Sequence, residues 1–339
     1  MTSQSRPSTE LPGEPVPYVQ EAGSGRAHLL LGQVGRTLVG AEETGGAMSV
    51  MTCTGPAGRP IPLHFHEAEL EVFLCTHGRV QLYAGDQSRV LVPGDLGVVP
   101  ARTLHAFQFH SAYSQFMGPI TPGGWDRFFD LTGTPFSTAA FPPVDPSPPP
   151  FEKFGRAEAE LKMKYRPDLP YPEAGEGSDD SLPGRPEPYF LRAGEGPRHL
   201  LGGQLATTMI TSAESGGQLG MATITGAGGT AIPSHVHDRT HEALYVLDGR
   251  VRVWLDGDAH LLTAGDCASV PAGCVHAYAF EGVSSRMVTM NAPGGIEALF
   301  AVAGEPYEHP IFPPDATPLT VDDALTAAVG GLDVRFVEA

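Results

Sequence analysis

The sequence predicts an all-β protein built from two tandem copies of one double-stranded barrel or jelly-roll domain. The chain contains 42 Gly and 33 Pro between short runs rich in Val, Leu and Thr, which indicates many turns joining short strands. Residues 18–143 also recur as residues 189–314 without a gap: Tyr18 matches Tyr189 and Gly123 matches Gly294, at a constant offset of 171. At 339 residues, 41% of them hydrophobic, the chain is long enough for two cores.

The repeat sets the predicted domain boundaries. We expect an N-terminal domain over residues 1–150, a linker with a short helix over 151–188, and a C-terminal domain over 189–339. Residues up to about Pro15 are polar and rich in Pro and Gly, which is typical of a flexible tail. Helix-forming residues predict a helix over 157–164, with Glu158 four positions before Lys162. A second short helix is predicted over 321–329, ending before Gly330.

Composition narrows the choice of partners. The 39 Asp and Glu outnumber the 21 Lys and Arg, and the net charge of −18 would repel nucleic acid and an acidic membrane surface. No apolar run approaches the roughly 20 residues that a membrane-spanning helix needs. The four cysteines form no CxxC pair and the N-terminus lacks the apolar segment of a signal peptide, so we expect a cytoplasmic protein. A small molecule is the expected partner, with monomer and homodimer both open as assembly states.

One stretch of the first repeat contains four candidate metal ligands. His64 and His66 stand two positions apart in a region that reads as a strand, so both rings point to one face and can chelate. Glu71 can join them only if the chain turns between residues 67 and 70. His105 arrives on a later strand that also carries Phe107. We therefore predict a metal site of three histidines and one glutamate.

The second repeat carries the same set. His235, His237, Glu242 and His276 lie 171 residues beyond the first four ligands. His241 precedes Glu242, but alternation turns it to the other face, so we expect it outside the metal shell.

The ligand types limit the metal without identifying it. Neutral imidazoles and one carboxylate suit Mn, Fe, Co, Ni or Cu, and also Zn. Structural zinc sites more often use thiolates, and neither His pair has a nearby cysteine in sequence. One divalent transition metal per domain is therefore predicted, with coordination positions left open for substrate or dioxygen.

The surroundings of the first site predict an aromatic substrate. Large apolar residues are expected to line its wall, and several have smaller or more polar counterparts in the second repeat, as Trp125 has in Ile296. This contrast predicts that the N-terminal site performs the chemistry. The predicted substrate-binding residues are Phe73, Phe107, Met117, Ile120 and Trp125.

The motifs resemble a known family. The pattern G-x5-H-x-H-x4-E-x6-G followed by G-D-x4-P-x4-H occurs from Gly58 to His105 and again from Gly229 to His276. It resembles the two cupin motifs, and the duplication resembles the bicupin quercetinases, the flavonol 2,3-dioxygenases. The resemblance implies a flavonol bound to the metal through its deprotonated 3-hydroxyl, with Glu71 as metal ligand and catalytic base. Cleavage of the ring by dioxygen would yield a depside and carbon monoxide.

Three alternatives stay open at the level of sequence. A related bicupin oxygenase could act on another aromatic or polyketide-type substrate. A decarboxylase or oxidase of a small dicarboxylate would need a cation beside the metal, for which Arg102 and Arg127 are the candidates. A non-enzymatic, ligand-binding bicupin would typically lack the metal ligands, all of which are present here.

Overall fold

The computed structural model describes residues 10–137, 149–173, 180–313 and 318–337, and most of its regular structure is β. The strands of the first repeat region are β1 (Tyr18–Gln20), β2 (Arg26–Leu30), β3 (Gln33–Val39), β4 (Ser49–Gly55), β5 (His64–His66), β6 (Leu70–His77), β7 (Val80–Ala84), β8 (Gln87–Leu91), β9 (Leu96–Val99), β10 (His105–Phe109), β11 (Ser114–Thr121), β12 (Thr134–Pro135) and β13 (Met163–Tyr165).

The strands of the second repeat region are β14 (Tyr189–Leu191), β15 (Arg198–Leu201), β16 (Gln204–Ile210), β17 (Gly220–Gly226), β18 (Ala231–Val236), β19 (His241–Leu255), β20 (Asp258–Thr263), β21 (Cys267–Val270), β22 (His276–Ala292), β23 (Glu305–Pro306) and β24 (Arg335–Phe336). The helices are short: α1 (Arg127–Thr132), α2 (Phe151–Glu160), α3 (Ser212–Ser215), α4 (Leu299–Ala303) and α5 (Asp323–Ala328). The predicted all-β class is confirmed.

The chain forms two compact units. The first holds residues 24–42 and 48–194, and its strands form a sheet in the order β13-β5-β10-β7-β8 and another in the order β12-β2-β3-β4-β11-β6-β9-β14. The second holds residues 12–23, 43–47 and 195–339, with one sheet in the order β1-β21-β19-β22-β17-β16-β15-β23. Strand β18 joins this sheet by pairing with β22 and β24, and β20 joins it by pairing with β19.

The segment that leads into each repeat belongs to the unit formed by the other repeat. Strand β1 pairs with β21 of the second unit, and β14 pairs with β9 of the first. Asp266 Oδ1 accepts a 2.7 Å hydrogen bond from Ala22 N, and Asp95 Oδ1 accepts one of 2.9 Å from Ala193 N. Asp95 and Asp266 are equivalent positions of the two repeats, 171 residues apart. The same backbone-to-aspartate hydrogen bond therefore holds the segment after each lead-in strand.

Parts of the predicted tail and of the predicted linker belong to these two units. Gly13 N donates a 2.7 Å hydrogen bond to Glu43 Oε1, and residues 12–23 belong to the second unit. The predicted linker also contributes to the first unit, where Asp180 accepts two hydrogen bonds from Arg89. Residues 1–9 of the predicted tail and 174–179 of the predicted linker lie outside the described residues.

One helix prediction is wrong at its C-terminal half. Helix α2 ends at Glu160, and Lys162 has a left-handed φ of 52°. Residues 163–165 then form β13, which pairs with the edge of β5. Strand pairing there outweighs the helix propensity of the local sequence. The second helix prediction is confirmed by α5, whose cap residue Asp322 accepts a hydrogen bond from Leu325 N.

Buried apolar side chains form the core of each unit. In the first unit, one cluster includes Phe73, Leu82 and Phe109, and another, beneath helix α2, includes Phe128 and Phe154. All four cysteines are buried and free. Within the described ranges, no helix combines the length and apolarity required to cross a bilayer.

Candidate metal centres

The predicted ligands of the N-terminal repeat converge on one buried point. Strand β5 presents His64 and His66 on one face, and the chain then bends so that β6 can bring in Glu71. Glu67 N donates to Lys162 O at 3.2 Å, which fixes this bend. Strand β10 places His105 opposite His64 in the ladder. The turn that the sequence required before Glu71 is present.

The donor atoms are close enough to share one ion. Each residue of the N-terminal set offers one ligand atom, and these atoms lie within 4.8 Å of one another. Glu71 Oε2 is 3.0 Å from His105 Nε2 and 3.6 Å from His66 Nε2. All four side chains are buried, so the cluster has little access to bulk water.

Backbone carbonyls orient two of the rings. His64 Nδ1 lies 3.0 Å from Pro62 O, and His105 Nδ1 lies 2.8 Å from Thr103 O. A carbonyl can only accept, so each Nδ1 carries the proton and each Nε2 keeps its lone pair for a metal. These contacts select the tautomer that coordination needs.

The C-terminal repeat reproduces the cluster. His276 Nε2 is 3.0 Å from Glu242 Oε2, and the donor atoms of the set again lie within 4.8 Å of one another. His235 Nδ1 is 2.8 Å from Pro233 O, which again leaves Nε2 for the metal. His241 is outside this cluster, as the alternation argument predicted.

His66 and its counterpart His237 are held differently in the two centres. His237 Nδ1 lies 2.6 Å from Asp333 O. His66 has no hydrogen bond on either ring nitrogen from the described residues, and the Glu69 carboxylate lies 4.0 Å from its Nδ1. The Nε2 atom of His237 also lacks a hydrogen bond, because Glu242 Oε2 is 3.8 Å away. Buried nitrogens without partners are costly unless they have a ligand.

Burial favours the neutral form of three of the imidazoles. It lowers the pKa of His64, His66 and His235 well below the ordinary histidine value, and neighbouring histidines lower it further. For His237, burial is the largest single cause and acts in the same direction, but the interactions with Glu242 and Asp333 together outweigh it and raise the pKa. Neutral imidazole is the form that coordinates. The donor types, their burial and the unpartnered Nε2 atoms of His66 and His237 fit one divalent metal per domain.

The predicted aromatic wall divides between two faces of the N-terminal sheet. The Phe73 ring packs 6.2 Å from Phe107, within the barrel core, and Ile120 stands opposite Glu71 in the ladder. Trp125 lies 4.9 Å from His66 and stacks on Phe128 at 4.6 Å. Met117, in contrast, is opposite Leu74. Residues opposite each other share a face, so Met117 points away from Glu71.

The C-terminal centre opens into a cavity with a different wall. The cavity encloses about 450 Å³, including space at its open mouth, and its lining includes His235, His237 and Glu242. Sequence analysis did not single out Tyr278, Thr289 or Asn291, which also line it. The constant offset could have found them, since it matches Tyr278 with Phe107 and Thr289 with Gly118.

The two glutamates have different surroundings. Thr289 Oγ1 donates a 2.5 Å hydrogen bond to Glu242 Oε1, the carboxylate oxygen that does not face His276. Gly118 occupies the matching position in the first repeat and has no hydroxyl. Among the described residues, none forms a hydrogen bond with Glu71 Oε1. The two centres therefore share ligands but differ in the environment of the second carboxylate oxygen.

The candidate cations are not beside the metal ligands. Arg102 is exposed, and its backbone N bonds to His66 O. The Arg127 side chain is 59% exposed and lies 3.5 Å from Glu160. No Lys or Arg is among the described residues that line the C-terminal cavity. The Cys53 thiol lies near Glu71, and burial together with that charge raises its pKa, so it stays neutral.

Comparison with known proteins agrees with this geometry. The Cupin domain family matches residues 51–113 and 223–291. The chain is 30% identical to the quercetin 2,3-dioxygenase of Bacillus subtilis (strain 168) over 329 residues, covering 97% of each chain. It is 27% identical to the quercetin 2,3-dioxygenase of Aspergillus japonicus, covering 88% of this chain and 95% of that protein.

A solved structure of Bacillus subtilis oxalate decarboxylase shares the fold at a TM-score of 0.53 and 19% identity, covering 83% of this chain and 78% of that one. Two domains, each with a complete set of three histidines and one glutamate, define a metal-binding bicupin. The chain belongs to the bicupin family and resembles its quercetin 2,3-dioxygenases.

Proposed function

We propose that the protein is a metal-dependent dioxygenase that cleaves the central ring of a flavonol-like aromatic substrate. In the proposed reaction, both atoms of O2 enter the product and one ring carbon leaves as carbon monoxide, so quercetin would give a depside. The named activity of the Bacillus and Aspergillus relatives supports this substrate class. We assign the reaction to the N-terminal centre.

One observation carries the assignment: the second carboxylate oxygen of Glu71 is available, whereas that of Glu242 is occupied by Thr289. A base must accept a proton at an oxygen that is not already engaged. With Oε2 directed at His105 and His66, Glu71 Oε1 can take the proton of a substrate hydroxyl. A divalent metal in the centre would lower the pKa of that hydroxyl by binding its oxygen.

The surrounding side chains suit a flat, hydroxylated ring system. Trp125 lies beside His66, and its buried Nε1–H has no hydrogen-bond partner among the described residues. It can therefore donate to an oxygen of the substrate. Phe73, Phe107 and Ile120 supply apolar surface on the Glu71 side. We leave Met117 out of the proposed contact set because of its orientation.

The test measures the O2 consumed and the carbon monoxide released by the metal-loaded protein. Quercetin under air should consume O2 and release an equal amount of carbon monoxide, while oxalate should give neither carbon dioxide nor O2 uptake. His66→Ala should abolish nearly all quercetin turnover, and the matched variant His237→Ala should retain a substantial part of it. Turnover of oxalate alone, or equal activity in the two variants at equal loading of the surviving site, would contradict the proposal.

A further inference from the structure

The C-terminal cavity contains a buried polar group that its own unit does not use. The Tyr278 hydroxyl lines the cavity, is buried, and has no hydrogen-bond partner in the described part of the chain. An unsatisfied buried hydroxyl is destabilising, so a tyrosine in this position needs a compensating role. The corresponding residue of the N-terminal repeat is Phe107, which fills the same position without a hydroxyl.

Two neighbouring polar residues add to this contrast. Thr289 and Asn291 line the same cavity, and their side-chain oxygens are 3.2 Å apart. Their N-terminal counterparts are Gly118 and Ile120. At these three matched positions the C-terminal centre has hydrogen-bonding side chains and the N-terminal centre has none. The two centres have the same metal-ligand residues but different lining residues, which indicates that they bind different molecules.

The charge of the centre limits what the cavity can bind. A divalent metal with three neutral histidines and the Glu242 carboxylate would keep one net positive charge, which favours an anion. The other lining carboxylate, Glu297, is already engaged by Ser212 N at 3.0 Å and by Gly295 N. Among the described residues that line the cavity there is no Lys or Arg, so a second negative charge on the ligand would have no permanently charged partner. A monoanion satisfies these conditions.

The rest of the wall is apolar. Ile224, Ile232, Leu299 and Phe300 line the cavity away from the ligands, and each is buried. The ligand should therefore combine one charged oxygen with an apolar body.

We propose that the C-terminal metal centre is a second ligand site, which binds a monocarboxylate or a phenolate through its charged oxygen and holds that oxygen by a hydrogen bond from the Tyr278 hydroxyl. Carboxylate and phenolate share this chemistry, since each offers one anionic oxygen to the metal and to the tyrosine. The proposal does not depend on flavonol cleavage at the N-terminal centre. Binding can be measured without turnover.

The experiment uses full-length protein with His66→Ala, loaded with Co²⁺ so that only the C-terminal centre contributes to the visible spectrum. Acetate and phenol are titrated separately under anaerobic conditions. At least one should shift the cobalt bands, and the one that binds more tightly identifies the source of the oxyanion. Tyr278→Phe should weaken that binding about tenfold or more, the effect of losing one hydrogen bond to a charged group.

Tyr307→Phe, which changes a tyrosine outside the cavity lining, is the matched control and should bind both anions as the parent does. Cobalt stoichiometry and the melting temperature establish that each variant is folded and loaded. If Tyr278→Phe does not hold cobalt, Asn291→Ile tests the same wall with the residue found in the N-terminal repeat. Unchanged affinity in the folded variants, or no spectral response of the parent to either anion, would overturn the proposal.

Discussion

The Thr289 hydroxyl donates a 2.5 Å hydrogen bond to Glu242 Oε1, the carboxylate oxygen that does not face His276. The N-terminal centre has glycine at the matching position, so its glutamate keeps that oxygen open. One side-chain difference therefore separates a glutamate whose second oxygen is occupied from the glutamate to which we assign the role of base. The two centres can do different chemistry although their ligand sets are the same.

The first prediction separates the roles of Glu71. Glu71→Gln retains an oxygen that can coordinate but lacks basicity, so the metal should stay bound at least in part. We expect kcat with quercetin to fall by about 10² to 10⁴, the usual contribution of a general base. Raising the pH toward the substrate hydroxyl pKa should restore part of the rate. Steady-state kinetics over pH, with metal content verified, provide the measurement.

Glu69→Gln is the matched control, because Glu69 lies 4.0 Å from His66 without belonging to the ligand set. It should change kcat far less than Glu71→Gln. If Glu71→Gln turns over quercetin within a few-fold of the parent near neutral pH, Glu71 is a ligand only.

The second prediction concerns metal content. The fully loaded protein should contain two ions per chain, because the structure holds two complete buried ligand sets. His66→Ala and His237→Ala should each lose one ion, and the double variant should lose both. Elemental analysis after gel filtration gives the number directly. A single ion per parent chain at saturating metal would refute the two-centre assignment.

The third prediction is that the metal-free protein loses stability as the pH falls from 7.5 to 5.5. Burial lowers the folded-state pKa of His64, His66 and His235. Below pH 6.5 the unfolded chain therefore binds protons at these histidines that the folded chain does not bind. Each such histidine removes up to about 1.4 kcal/mol of unfolding free energy per pH unit below its unfolded pKa of about 6.5. His237 opposes this trend because its pKa is raised.

Urea unfolding of the metal-free protein at several pH values tests this slope. His64→Gln should flatten it, whereas His77→Gln, which changes an exposed histidine, should leave it unchanged. Stability that stays constant or rises toward pH 5.5 would be the contrary result.

The fourth prediction concerns the lead-in strands. Asp266→Ala removes the acceptor for Ala22 N, and Asp95→Ala removes the acceptor for Ala193 N. Each should cost about 1.5 to 3 kcal/mol, the usual contribution of a hydrogen bond to a charged acceptor. Hydrogen exchange should rise at β1 only in the Asp266 variant and at β14 only in the Asp95 variant. Equal exchange at both strands in each variant would argue against the pairing.

The fifth prediction tests close packing beside Glu71. A Cβ on Gly118 would meet Val72 O at 1.7 Å, so Gly118→Ala must displace β11 or β6. We expect a loss of about 1 to 3 kcal/mol together with weaker metal binding at the N-terminal centre. Gly155→Ala is the control: it lies in helix α2 with open space around it and should be neutral or slightly stabilising. Thermal unfolding of both variants makes the comparison.

The sequence alone determined the ligands, because metal chelation requires particular residue types at fixed intervals. The His64 and His66 spacing, the required turn before Glu71, and the second set at an offset of 171 were readable without coordinates. The all-β class followed from turn residues between short apolar runs, since period and turn chemistry are local properties.

Only the tertiary structure decided what surrounds those ligands. The pairing of β13 with β5 ended a helix that local propensity favoured, and the β11 register turned Met117 away from Glu71. The assignment of β1 and β14 to opposite units likewise depends on pairing between distant segments. Contacts between residues far apart in the chain have no local signature, and the hydrogen bond from Thr289 to Glu242 is of that kind.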